Sequence, residues 1–103
     1  MPAPEFSPEE LSLIEKLRSR GVGDAETMKQ LQRWTAEQES WANEVNTSRA
    51  NIEVNLRRAK LYRTSGFVEE AHEILENVRL QAIQENEEDL LMEAEKILEE
   101  LRF

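Results

Sequence analysis

The sequence predicts an all-α fold of about five helices, and three observations predict it. Leu, Glu, Ala, Gln and Arg dominate the chain, while glycine and proline number only three each in 103 residues, a composition that favours helix throughout. No run alternates apolar with polar residues in the β-branched manner of a strand, so no sheet is expected. Start and stop signals divide the chain into helix-sized lengths.

Ser7-Pro8-Glu9-Glu10 is a helix start: a hydroxyl to cap free amides, a proline at the first turn, and a glutamate three residues on to complete a capping box. The first helix should run to Arg20, with Leu11, Ile14 and Leu17, joined by Leu13, as its apolar face. Gly21 supplies the left-handed residue that ends it. Asp24 can cap a second helix. Between Asp24 and Ser65 there is neither glycine nor proline, which leaves one long central helix or two helices joined near Asn46-Thr47-Ser48. A three-four spacing runs through Leu31, Trp34, Gln38, Trp41 and Val45 and on to Ser48, Ile52, Asn55, Ala59 and Tyr62, which favours continuity. Three consecutive cap-type residues favour a boundary, because their side chains compete for backbone hydrogen bonds inside a helix, and a break or kink there is the expectation.

Gly66 is the clearest stop in the chain and opens a tight turn into a fourth helix over residues 68 to 84, with Ala71, Ile74, Leu75, Val78, Ala82 and Ile83 as its buried stripe. Asn86-Glu87-Glu88-Asp89 reads as a new cap with acids in the first turn, where they meet the positive end of the helix dipole. Leu90, Ala94, Ile97, Leu98 and Leu101 give the fifth helix its apolar face. The third helix carries the most informative pattern. At about 100° per residue, Ile52, Leu56, Ala59 and Tyr62 share one face while Val54 and Leu61 lie on another, so this helix needs neighbours on two sides. One helical domain is expected, with a flexible tail over residues 1 to 6, N-terminal helices over 7 to 48 and a three-helix unit over 49 to 103.

The stretch Ala59-Lys-Leu-Tyr62-Arg-Thr-Ser-Gly66-Phe-Val68-Glu-Glu-Ala71-His-Glu-Ile-Leu75 resembles a tetratricopeptide repeat. Ala59, Tyr62, Gly66, Val68 and Ala71 take that family's positions for a small residue, a tyrosine, a turn glycine, a larger side chain and a helix-packing alanine. The likeness covers about one repeat, residues 51 to 84, with the fifth helix in the place of a capping helix. Asn55 and Arg58 depart from it, standing where the family usually has large apolar residues. No proline closes the unit, and residues 1 to 48 show no second copy. The resemblance implies a ligand-facing inner surface carrying Glu53, Arg57, Lys60 and Arg63, and hence capture of an acidic peptide through charge-assisted hydrogen bonds.

Charge bears on the same residues. The net charge is −9, yet residues 49 to 65 carry five bases against one acid, a basic stretch between two acidic segments. Overall repulsion argues against nucleic acid and anionic membranes as partners, and no aromatics interleave with the bases as a nucleic-acid groove would need. Arg57, Lys60 and Arg63 therefore read as a peptide groove or, together with Arg49 and Arg58, as internally paired with the glutamates of the fourth and fifth helices. Trp34 and Trp41, seven residues apart, likewise read either as core or as a ridge through which a long central helix makes a homodimer.

With no cysteine and one histidine, neither a thiolate metal site nor a nucleophile-base pair is suggested. Glu69-Val-Glu-His72 has a Glu-x-x-His spacing, but di-iron chemistry needs a second such pair, so no cofactor and no metal are expected. No basic leader or apolar span stands in the sequence, and the cytoplasm is the expected compartment. The function expected from sequence is a non-enzymatic protein-protein interaction module with a protein or peptide partner, the alternative being a self-associating homodimer. The candidate partner-binding residues are Arg57, Lys60, Arg63, Trp34 and Trp41.

Overall fold

Local chemistry sets each helix end, and together the ends divide the described chain into α1 (Pro8–Arg20), α2 (Ala25–Val45), α3 (Ser48–Thr64), α4 (Val68–Gln84) and α5 (Glu88–Glu100). The structure, a computed structural model, describes residues 5–101. At the start of α1 the capping box is complete: the Glu10 amide donates to Ser7 Oγ at 3.2 Å and the Ser7 amide donates to Glu10 Oε1 at 2.9 Å. Asp24 caps α2 by accepting from the Thr27 amide at 3.0 Å. The central segment is two helices. Asn46 turns left-handed at φ 56°, and Thr47, extended, accepts from the Ala50 amide at 3.0 Å to start α3. Ser48 falls to the first turn.

The turn from α3 to α4 and the turn from α4 to α5 share one geometry. In the first, the Phe67 amide reaches back to the Tyr62 carbonyl at 2.9 Å and the Gly66 amide to that of Arg63 at 3.1 Å. In the second, the Glu87 amide reaches Ala82 at 2.9 Å and the Asn86 amide reaches Ile83 at 3.3 Å. Gly66 has φ 92° and Asn86 φ 56°, so Asn86 takes glycine's part. This corrects the expected cap at Asn86, since the cap position of α5 is Glu87, which makes no side-chain cap bond. Phe67 also meets Tyr62 edge to face, with ring centres 6.3 Å apart, closing the hairpin on its open side.

Three apolar clusters hold the helices, and α3 belongs to all of them. Ile52, Leu56 and Ala59 pack with Ala71, Leu75, Val78 and Ala82 of α4 and with the apolar face of α5. Leu61 joins Leu13, Ile14 and Leu17 of α1 and Leu31 and Trp34 of α2, while Ala50 and Val54 meet Ala42 of α2. The expected second face of α3 is thus occupied: Val54 and Leu61 are both buried. Ala59 and Ala71, fully buried, let α3 and α4 approach closely, the role small residues play in stacked helical hairpins.

Several apolar assignments differ from expectation. Leu11, Val45 and Ile83 are exposed, and Phe6, placed in the flexible tail, is buried against the first helices. Among the described residues no helix is long and apolar enough to cross a membrane.

Candidate functional site

The two tryptophans part company. α1 and α2 run antiparallel, with Arg20 bonded to Glu26 at one end and Glu10 to Trp34 at the other, so α1 begins level with Trp34 and leaves the rest of α2 overhanging. Trp34 lies under α1 and is 2% exposed; Trp41, beyond its reach, is 44% exposed. No common ridge exists. Past Gln38 the buried residue of α2 is Ala42, because α3 alone covers that end and does so from a different side.

The overhang of α2, the middle of α3 and the start of α5 enclose a groove of about 570 Å³ lined by Gln38 and Trp41, by Arg49, Glu53, Val54, Leu56, Arg57 and Lys60, and by Asp89, Leu90 and Glu93. A second groove of about 580 Å³ continues along α3 and α5 and contains Arg63 and Glu100. Both include Lys60 and Glu93, whose ion pair therefore spans the boundary between them. Arg57, Lys60 and Trp41 meet in the first groove, Arg63 lies in its continuation, and Trp34 stands apart in the core.

Each of these cations already holds a carboxylate. Arg49 bonds Glu87 at 2.6 Å and Glu53 at 3.0 Å and also grips Asp89, Lys60 pairs with Glu93, and Arg63 reaches Glu100 at 2.7 Å. The Arg49 guanidinium holds the exposed Asp89 carboxyl down to about 2. Internal pairing was expected with the fourth and fifth helices. Among the described residues α5 supplies partners as expected, others come from the turn before it, α3 itself and α1, none comes from α4, and Arg58 makes no ion pair.

The α1 partner is one that the sequence pattern hides. Glu10 is 3% exposed, and its carboxylate accepts from Arg57 Nε at 2.6 Å, from Arg57 Nη2, from the Trp34 indole at 3.1 Å and from the Ser7 amide. Burial pushes this carboxyl upward, but the hydrogen bonds and charge of Arg57, with those of Ser7 and Trp34, outweigh it and leave the group below its ordinary range. One side chain so ties α1, α2 and α3 together. His72 stands exposed on α4 with Glu76 at 3.8 Å.

No protein-family model, curated protein or solved structure matches this chain. The tetratricopeptide likeness accordingly rests on residues 51 to 84 and the hairpin they form.

Proposed function

We propose that this chain is a non-enzymatic interaction module whose groove between α2, α3 and α5 receives an acidic peptide segment of a protein partner. The observation that carries the reading is Trp41, 44% exposed beside an apolar floor of Val54, Leu56 and Leu90 and ringed by Arg49, Arg57 and Lys60. An exposed tryptophan over a buried apolar floor, with charges of both signs at the rim, supports a binding hot spot. Surface ion pairs contribute little, about 0 to 1 kcal/mol, so Glu93 or Asp89 can yield Lys60 or Arg49 to an incoming carboxylate at small cost. Arg57 is held more firmly, because releasing it strands the buried Glu10.

The test uses acetylated, amidated peptides carrying one aromatic residue among glutamates, followed through the indole N–H resonances. Binding in the groove should move the Trp41 signal and leave that of Trp34 in place, and Lys60→Glu should weaken it. A Trp41 signal stationary at saturating peptide sinks the reading.

Self-association keeps one supporting observation, since Trp41 and Val45 form an exposed i, i+4 apolar pair at the end of α2. Sedimentation of wild type and Trp41→Ala checks it: a concentration-dependent dimer lost in the variant supports that reading, and a monomer in both removes it.

A further inference from the structure

On the other flank of α3 lies a cleft of different chemistry. Glu39 and Asn43 of α2 form one wall, Asn51, Asn55 and Arg58 of α3 the floor, and Gln81 of α4 the far side, enclosing about 470 Å³. Asn55 and Arg58 are the two positions at which the sequence departs from the apolar pattern of a helical repeat, and here they share a cleft. Two further observations single it out. Arg49, Arg57, Lys60 and Arg63 of α3 each hold a carboxylate, whereas Arg58 makes no ion pair among the described residues. Its one hydrogen bond, to Asn55 Oδ1, is 3.4 Å long, as is the bond from Asn55 Nδ2 to Gln81 Oε1, and Asn51 Nδ2 reaches the Thr47 carbonyl at only 3.3 Å. These are long bonds, so the amides retain unspent capacity to donate and accept.

We propose that this cleft binds an extended polypeptide segment, its main chain held by Asn51, Asn55 and Gln81 and an acidic side chain of the segment held by Arg58. A primary amide donates and accepts at once, as a peptide group does, so the two are complementary. The spacing also fits. Asn51 and Asn55 are one turn apart, about 6 Å along α3, and alternate residues of an extended chain recur at about 6.6 Å. Arg58 follows on the same line and offers two parallel N–H groups to a carboxylate. No aromatic ring lines the cleft to stack a base or a sugar. This cleft shares only the buried Val54 with the groove that holds Trp41, and substitutions at Asn55 and Arg58 leave the lining of that groove unchanged.

Random dodecapeptides displayed on phage, selected on the full chain and then measured as free peptides, give the test. Acid-containing binders should weaken roughly tenfold with Arg58→Leu and with Asn55→Leu, and be indifferent to Lys60→Glu. Both leucine variants place an apolar residue where helical repeats carry one, so thermal melts should show them folded. Methylating main-chain nitrogens of the peptide one at a time should abolish binding at alternate positions and spare those between. Selection yielding no binder sensitive to Arg58→Leu, or an N-methyl scan without a two-residue period, overturns the proposal.

Discussion

Glu10 shows how one residue can serve two levels of structure. Its capping-box role is legible in four consecutive residues, because the geometry that joins Ser7 to Glu10 is local. Its second role is not, since Trp34 lies 24 residues away and Arg57 lies 47 away, and nothing in their spacing announces that they converge. The same limit explains why the sequence offers Arg57 the glutamates of the fourth and fifth helices as partners and not Glu10. Glu10→Gln retains an oxygen for the Ser7 amide or the Trp34 indole but removes the charge that faces Arg57, and it should lower stability by about 2 kcal/mol in denaturant titration. The acid limb supplies a second check. A carboxyl held below its ordinary 4.5 in the folded chain contributes stability in full above that value and loses it as pH falls through the lower, folded one. Wild type should therefore lose stability faster than Glu10→Gln as pH drops below 4.5, and parallel curves for the two proteins would remove Glu10 from the clasp. Asp89, held to about 2 by Arg49, acts in the same direction in both proteins and cancels from the comparison.

Helix boundaries are the part of the architecture most legible in the sequence, and the reason is that caps and stops act within a few residues. Ser7, Asp24, Gly66 and the Asn46-Thr47 break all work where their types suggest, whereas Asn86 looks like a cap and functions as the left-handed stop. Which residues of a helix are covered is less legible, because that depends on how far the neighbouring helix extends. Trp41 follows Trp34 by two turns and would share its burial if α1 were longer; Leu11 and Ile83 fit their stripes by spacing and face solvent because no helix packs beside them. The two matched turns give a contrast that tests the left-handed assignment. At Gly66, φ 92°, a new Cβ would meet no atom within 4 Å, so Gly66→Ala costs backbone strain alone, about 1 to 2 kcal/mol, with no steric clash added. Asn86→Gly should change stability by less than about 0.5 kcal/mol, as relief of strain is offset by the greater freedom of glycine in the unfolded chain. Thermal melts of the two variants check the pair, and equal effects would mean that the turns are not equivalent.

For the molecule as a whole, the three clusters could melt separately or together, and α3 decides which. The clusters are distinct: α1 contributes to the one containing Trp34, while α4 and α5 contribute to the one containing Leu75 and Ala94. Side chains of α3 enter every one, and Tyr62 packs against two of them from a single position. A helix whose opposite faces are both needed cannot unfold on one side alone, since the residues that leave one cluster carry the backbone of the other with them. Small domains with such shared elements unfold in one cooperative step. Leu61, fully buried, sits on the face of α3 turned toward α1 and α2 and belongs only to their cluster. Leu61→Ala should therefore destabilise by about 2 to 5 kcal/mol through loss of buried surface and the cavity left behind. The telling measurement is where that loss appears. Trp34 fluorescence reports the cluster that is cut, and amide exchange in α4 and α5 reports the one that is not. If α3 couples them, both should shift together, with the slowest amides of Leu75 and Val78 accelerated by the same free energy that moves the fluorescence transition. If the α4 and α5 amides keep their wild-type protection while the tryptophan signal melts early, the N-terminal pair of helices is a separate unit docked on an independently stable three-helix body.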